Sequence, residues 1–341
     1  MAQRLDDEFV PGAANPFPVP DPPLRVVFMG TPDFAARSLR ALIDWPGAEV
    51  VCVYTQPDRP SGRGQESTPP PVKLAALEAG IEVRQPLNFK HQADVDALRG
   101  LDFDVLVVAA YGLILPQAVL DAPGLLPVNV HASLLPRWRG AAPIQRALQA
   151  GDPVTGITIM KMELGLDSGP ILLQRALRIA EGDHAGTLHD ELADMGAEAL
   201  LEALARLPLG RLMRLPQDEA LVTVAPKLRK DEGLIDWNRE AEALHNHIRA
   251  MHPWPGAFFD WEQTPGGKVL RLTIEPGSIG EDVPAGVAPG TILGLRDTDA
   301  GPRLAIATTD KLYLVPRLTP RGKKAQDAAA FACGYLKTSQ G

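Results

Sequence analysis

The sequence predicts two domains, an α/β domain with a mostly parallel sheet and then a smaller β-barrel domain. The chain has 341 residues, which is more than one typical domain contains. In residues 24–207, apolar strand-like runs alternate with helix-like segments, a pattern typical of a parallel sheet covered on both faces. After residue 230, short β-like runs follow one another between Gly, Pro and Asp turns, as in small barrels.

The elements of the first domain are predicted from apolar spacing and from turn residues. Pro143 suits the first turn of a helix, and Gly151 suits the position after its end. The predicted strands are 24–29, 50–55, 82–85, 105–110, 128–131, 155–162 and 171–179, and the predicted helices are 34–43, 72–79, 144–150 and 188–207.

The remaining chain divides into a tail, a linker and the second domain. Residues 1–23 contain six prolines among acidic and small residues, which predicts a disordered or extended tail. The Pro-rich, mixed stretch 208–230 predicts a linker. In residues 231–335 we expect a helix and five strands, at 241–251, 258–261, 270–274, 290–293, 304–308 and 311–316.

Composition narrows the class of protein. Hydrophobic residues make up 45% and charged residues 22% of the chain, as in ordinary globular proteins. The net charge of −8 argues against a generally basic nucleic-acid binder, although it allows a local basic surface. The two cysteines lie far apart, and no apolar run is long enough to span a bilayer. We therefore expect a cytoplasmic monomer that needs no membrane.

Three polar residues form the candidate chemical centre. Asn129 and His131 stand two residues apart in a strand, so their side chains face the same side. Asp167 comes from a later turn. An Asn amide can stabilise an oxyanion, an imidazole can carry a proton, and a carboxylate can orient the imidazole. Such a trio alone also suits a structural role, but the loop that follows is rich in arginine and tryptophan, which favours a functional one.

The Asn-x-His-x-Ser-Leu-Leu-Pro stretch of residues 129–136, followed by Asp167 in a later turn, resembles the signature of the folate-dependent formyltransferases. Its longer form, from His131 to Gln145, is similar to the methionyl-tRNA formyltransferases, a branch of that family. Four further segments agree with this branch, namely 28–35, 55–60, 110–116 and 253–256. The resemblance extends over residues 24 to 330.

The resemblance implies a Rossmann-like catalytic domain and an OB-like, tRNA-binding C-terminal domain. It implies transfer of a formyl group from 10-formyltetrahydrofolate to the α-amine of methionine on initiator tRNA, with Asn129, His131 and Asp167 as the catalytic trio. The folate-binding residues carried over from the family are Ser133, Leu134, Leu135, Pro136, Tyr111, Ile114 and Leu115.

Two basic regions are candidates for contact with the tRNA. The loop 56–71 matches an insertion that reaches the acceptor end in this family, with Arg59 and Arg63 as its cations. Gln65-Glu66-Ser67 stands where lysines would be unsurprising, and a solvated loop is the alternative. Residues 303–337 carry seven basic against two acidic side chains, which favours phosphate binding. From this region we select Arg321, Lys323 and Lys324.

Other functions have weaker support. Gly30-Thr31-Pro32-Asp33 lacks the glycine spacing of a dinucleotide site. His245, His247 and His252 lack a metal-ligand pattern, so we expect no metal cofactor. Two alternatives remain open at this stage. One is a folate-dependent formyltransferase acting on a sugar-nucleotide or purine-precursor amine, and the other is a non-catalytic RNA-binding module.

Overall fold

The computed structural model describes residues 17–61, 66–263 and 266–336. Up to residue 206, its strands are β1 (Leu24–Gly30), β2 (Ala48–Tyr54), β3 (Arg59–Ser61), β4 (Glu66–Thr68), β5 (Val83–Arg84), β6 (Val105–Ala109), β7 (Leu126–His131), β8 (Arg139–Gly140), β9 (Val154–Lys161) and β10 (Ile171–Arg178). The helices of this N-terminal region are α1 (Asp33–Asp44), α2 (Pro71–Glu78), α3 (Gln92–Arg99), α4 (Gln117–Leu120), α5 (Pro143–Gln149) and α6 (Ala185–Arg206).

Seven of these strands form one sheet in the order β10-β9-β7-β6-β1-β2-β5. The five strands from β7 to β5 are parallel to one another. β9 runs antiparallel to β7, and β10 runs antiparallel to β9. The predicted mostly parallel sheet is therefore confirmed.

The central strands are apolar throughout because both faces of the sheet are covered. In β1, Val26 and Phe28 belong to one apolar cluster, while Val27 and Met29 belong to another. Residues of α1 and α6 complete the first cluster, and residues of α3 and α4 complete the second. Successive side chains of a strand point to opposite faces, so a doubly covered strand cannot alternate between polar and apolar residues.

The C-terminal part contains α7 (Ala241–Met251) and α8 (Ala328–Tyr335) with β11 (Val224–Ala225), β12 (Ala257–Glu262), β13 (Val269–Ile274), β14 (Ser278–Asp282), β15 (Ile292–Arg296), β16 (Arg303–Ala307), β17 (Lys311–Val315), β18 (Arg317–Pro320) and β19 (Gln326–Asp327). Two four-stranded sheets have the orders β12-β13-β18-β19 and β14-β17-β16-β15. Their antiparallel strands are consistent with the expected barrel-like domain.

The sequence did not predict ten of the observed elements, namely β3, β4, β8, β11, β14, β18, β19, α3, α4 and α8. The β14 segment, Ser-Ile-Gly-Glu-Asp, contains few residues that favour strands. It is extended because it pairs with β17, a long-range contact that local sequence does not reveal.

The two parts of the molecule share one contiguous apolar cluster. Leu244, Ile248 and Met251 of α7 belong to the cluster that also contains Ile144 and Leu148 of α5, and these two helices pack together. At the same boundary Arg146 Nη1 lies 2.7 Å from Glu232 Oε2.

The segments predicted as tail and linker also make contacts. Residues 1–16 of the tail lie outside the described residues, and Phe17 packs against the large apolar cluster. Within the stretch predicted as a linker, β11 pairs in parallel with β8. In the described part of the chain, no helix combines the length and the apolar character needed to cross a bilayer.

Candidate active site

The site lies at one edge of the seven-stranded sheet, where β1, β2, β6 and β7 end. Their loops are joined by hydrogen bonds, since Thr31 Oγ1 and Gln56 Nε2 both donate to the Tyr111 carbonyl oxygen, at 3.1 and 3.2 Å. In open α/β sheets, ligand crevices form at the carboxyl ends of the strands. This edge is therefore where polar side chains of the loops meet.

The structure brings Asn129, His131 and Asp167 together. Asp167 Oδ1 lies 3.5 Å from Asn129 Nδ2, and Asp167 Oδ2 lies 3.6 Å from His131 Nδ1. Asp167 Oδ2 also accepts a hydrogen bond of 2.8 Å from the Gly140 backbone N–H. The His131 side chain is 5% exposed and that of Asp167 is 17% exposed. The three side chains thus form a compact, largely desolvated group.

Hydrogen bonding fixes the orientation of the His131 ring. Nε2 lies 2.9 Å from the Trp138 carbonyl oxygen, which is only an acceptor, so Nε2 must donate. In the neutral ring this leaves Nδ1, beside Asp167, as the atom that accepts a proton. The Asn129 and His131 contacts to Asp167 are long for hydrogen bonds, so both groups retain capacity for a substrate atom.

The predicted folate segment forms a tight loop after β7. Ser133 Oγ donates to the Arg137 carbonyl oxygen at 2.7 Å. The buried Thr158 hydroxyl donates to Ser133 O at 2.7 Å and accepts from the Leu135 N–H at 3.1 Å. Leu135 packs with Met160 and Ile171. This loop, which also contains Leu134 and Pro136, is therefore held at a fixed distance from the trio.

The second predicted folate segment, which contains Tyr111, Ile114 and Leu115, has one exposed side chain and two buried ones among these three residues. Tyr111 and Leu115 are buried in the apolar cluster of the α3 and α4 side, and burial raises the pKa of Tyr111 above its usual value. Ile114 lies between them in sequence and is 95% exposed. Of these three side chains, Ile114 is thus the one available for contact with a ligand.

The loop from Arg137 to Gly140 is held by residues that sequence reasoning did not identify. Arg137 Nη2 and Trp138 Nε1 both donate to Asp152, at 2.7 and 2.8 Å. Arg139 is 7% exposed and binds Gln217 and Glu219. The arginine and tryptophan content of the loop was the signal for such partners, but Asp152, Gln217 and Glu219 stand in no motif.

The predicted tRNA-binding cations lie apart from the trio in the chain. Arg59 is exposed on β3 and donates to Gln56 Oε1 at 3.0 Å. Arg63 lies outside the described residues. Arg321, Lys323 and Lys324 are all exposed in the turn between β18 and β19.

Within residues 17–61, 66–263 and 266–336, no group of three or more His, Cys, Asp or Glu side chains is arranged to hold a metal ion. Cys52 and Cys333 are both free thiols.

Comparison with known proteins identifies the family of the chain. The family model of the formyl transferases matches residues 24–204, and the model of their C-terminal domain matches residues 227–336. A methionyl-tRNA formyltransferase of Nitratidesulfovibrio vulgaris is 56% identical over 319 residues, covering 94% of this chain and 95% of that protein. One from Pseudomonas fluorescens is 49% identical, covering 89% of this chain and 91% of that protein.

Among solved structures, the fold is similar to that of HypX from Aquifex aeolicus in complex with tetrahydrofolic acid. The TM-score is 0.59 at 18% identity, over 92% of this chain and 48% of that one. A 4-N formyltransferase from Francisella tularensis gives 0.57 at 14% identity, over 75% and 99% of the two chains. These likenesses concern the fold, whereas the family models and the close relatives decide the family. The chain belongs to the formyl transferase family.

Proposed function

We propose that this protein transfers the formyl group of 10-formyltetrahydrofolate to the α-amine of methionine on initiator tRNA. The observation that carries the proposal is that Asn129 and His131 each lie within 3.6 Å of the Asp167 carboxylate, in a chain 56% identical to a methionyl-tRNA formyltransferase. The matching relatives cover both parts of the chain. We further propose that it acts as a monomer in the cytoplasm.

The proposed roles follow from what formyl transfer requires. When the amine nitrogen bonds to the formyl carbon, negative charge develops on the formyl oxygen. The Asn129 amide is a donor for that charge, and its long contact to Asp167 leaves it free to turn. The transfer is complete when the bond from folate N10 to the formyl carbon breaks.

A proton must also move from the attacking nitrogen to folate N10. His131 Nδ1 and Asp167 Oδ2, which lie 3.6 Å apart, are the two groups that we assign to this transfer. The Trp138 carbonyl keeps the other ring nitrogen occupied, so only Nδ1 is available to accept a proton.

Substrate binding is assigned to the loops at the sheet edge and to the basic side chains. The folate donor would lie against Ser133, Leu134, Leu135 and Pro136 and against the backbone at Tyr111, Ile114 and Leu115. The exposed Ile114 suits an apolar ring system, because a large exposed aliphatic side chain next to a crevice favours ligand contact.

We assign the binding of the tRNA to five basic side chains, those of Arg59, Arg63, Arg321, Lys323 and Lys324. Arg321, Lys323 and Lys324 are exposed, as side chains that attract phosphates without reading sequence must be.

A formylation assay tests the function. The protein is incubated with 10-formyltetrahydrofolate and charged initiator methionyl-tRNA, and formylmethionine is measured after the ester bond is hydrolysed. A parallel reaction offers sugar-nucleotide amines and a purine-precursor amine. We expect product only with the tRNA. Turnover on a small amine without turnover on methionyl-tRNA would instead establish the other class of formyltransferase.

A further inference from the structure

The stretch between the two parts of the molecule lies directly against the candidate site. Residues 215–225, which we call the brace, form backbone hydrogen bonds with both site-bearing segments. Leu215 exchanges two bonds of 2.8 and 2.9 Å with Ile171, at the start of β10. The Arg139 N–H donates to Thr223 O at 2.9 Å, and the Ala141 N–H donates to Ala225 O at 2.8 Å. The brace therefore joins the loop after β7 to the turn that carries Asp167.

The brace needs a glycine in the loop that it contacts. At Gly140 the backbone φ is +121°, and a Cβ there would lie 2.7 Å from the Ala225 carbonyl oxygen. The N–H of the same glycine donates to Asp167 Oδ2 at 2.8 Å.

Gln217 is the brace residue that reaches the Asp167 turn. Its Nε2 donates to the carbonyl oxygens of Asp167 and Gly169, at 2.7 and 2.8 Å. Its Oε1 accepts from Arg139 Nε at 3.0 Å. We propose that Gln217 is a positioning residue for the formyl transfer, which acts by holding Asp167 in its reactive orientation.

The Asp167 turn requires such a support. Asp167 has a φ of +46°, a left-handed conformation that residues other than glycine adopt infrequently. The flanking Leu164 and Leu166 side chains are exposed, so little apolar packing holds the turn. The two bonds from one side-chain amide hold the Asp167–Ser168 and Gly169–Pro170 peptide groups, and the first of these adjoins the Cα that carries the Asp167 side chain.

The hydrogen bonds around Asp167 form a closed ring. The Asp167 carbonyl is bound by Gln217, Gln217 is bound by Arg139, and the neighbouring Gly140 N–H binds the Asp167 carboxylate. Arg139 is itself fixed by Glu219, with Nη2 to Oε1 at 2.8 Å. Both the backbone and the carboxylate of Asp167 are thereby connected by hydrogen bonds to Arg139 and Gly140 in the loop after β7. A misplacement of about 1 Å in such a group can cost about 10²-fold in rate.

The test is Gln217→Glu, which keeps the size of the side chain and removes both N–H donors. This inference rests on the proposed function. We expect kcat for methionyl-tRNA to fall about 10- to 100-fold, with both KM values within about threefold. Lowering the pH should partly restore kcat relative to the unmodified protein, because a protonated carboxyl recovers one donor. The matched control is Met213→Ala, at a 77% exposed position in the same connecting stretch. It should leave kcat and both KM values unchanged.

A double-mutant cycle separates positioning of Asp167 from a general structural effect. If Gln217 acts through Asp167, Gln217→Glu should change kcat by less than about threefold in the Asp167→Ala background. Equal losses in both backgrounds would overturn the inference, and so would a raised KM with normal kcat. If Gln217→Glu does not fold, Gln217→Ala, which leaves room for water, takes its place in the cycle. An unmodified protein inactive on methionyl-tRNA would refute the proposed function itself.

Discussion

The loop after β7 and the turn after β18 both present arginine or lysine side chains, but they hold them in opposite ways. In the loop, Arg137 is bonded to Asp152 and lies 4.4 Å over the Trp138 ring, while Arg139 is buried between Gln217 and Glu219. In the turn, Arg321, Lys323 and Lys324 are exposed.

The difference indicates two uses of positive charge. A guanidinium fixed by several acceptors acts as a geometric support, because its donors are already occupied. An exposed, mobile cation attracts a polyanion over a distance, and one such side chain can substitute for another. Changes in the loop should therefore act on kcat and folding, whereas changes in the turn should act on affinity for tRNA.

The largest effect is expected where the loop supports chemistry. Asn129→Ala and Asp167→Ala should each lower kcat at least about 10²-fold, because they remove an oxyanion donor or a proton-transfer group. Steady-state kinetics with charged tRNA measure this loss. Glu163→Gln, an exposed change in the same turn as Asp167, is the control. Near-normal kcat in both alanine variants would refute the assigned roles.

A smaller effect is expected from the support of the folate loop. Thr158→Val should destabilise the fold by about 1–3 kcal/mol, because the Ser133 carbonyl and the Leu135 N–H lose their buried partner. It should also raise the KM for the formyl donor. Urea denaturation and donor titration measure the two effects.

Thr155→Val provides the matched control for this change. The Thr155 hydroxyl is buried without a hydrogen-bond partner among the described residues. Removing it should leave stability unchanged or increased. Equal destabilisation by the two substitutions would show that the hydrogen bonds of Thr158 contribute nothing particular.

Substitutions in the turn after β18 should weaken the binding of tRNA without changing the rate of the chemical step. Replacing Arg321, Lys323 and Lys324 together by alanine should raise the KM for tRNA about tenfold at low salt and leave kcat unchanged. The dependence of log affinity on log salt should become shallower by about 2 to 3 units, if each cation neutralises one phosphate. Replacing the exposed Lys90 and Arg99 is the control. An unchanged salt dependence would show that these three cations do not bind the phosphates of the tRNA.

The smallest expected effect is on the pH dependence of stability, through a partly buried histidine whose charged form the fold disfavours. Burial lowers the pKa of His247 on α7 below its ordinary 6.5, so below that pH the unfolded chain binds more protons than the folded chain. Stability should be greatest above about pH 6.5 and should fall as the pH drops through this value. His247→Leu should reduce the fall in Tm between about pH 7.5 and about pH 5.5. The exposed His91→Leu should not, and identical pH profiles for both would contradict the effect.

Sequence predicted the strands of the large sheet well, because a doubly covered strand such as β6 is a continuous apolar run. It also placed Asn129, His131 and Asp167 together, since strand periodicity and the family resemblance both bear on them. It did not reveal Gln217 or Thr158, whose importance comes from partners far away in the chain. The candidate trio is thus accessible from strand periodicity combined with the family resemblance, while the residues that hold it in place depend on tertiary contacts.

The position of the brace in the chain has a consequence for biosynthesis. A nascent chain that ends near residue 207 contains the complete large sheet and the side chains of Asn129, His131 and Asp167, but not Gln217, whose amide binds the Asp167 carbonyl oxygen. The ribosome must add the next stretch, and the chain must turn back onto the sheet, before the site is complete. From the proposed role of Gln217 we therefore expect full activity only after the boundary between the two parts has been synthesised, and we expect a cut within that boundary to lower kcat while leaving the large sheet intact.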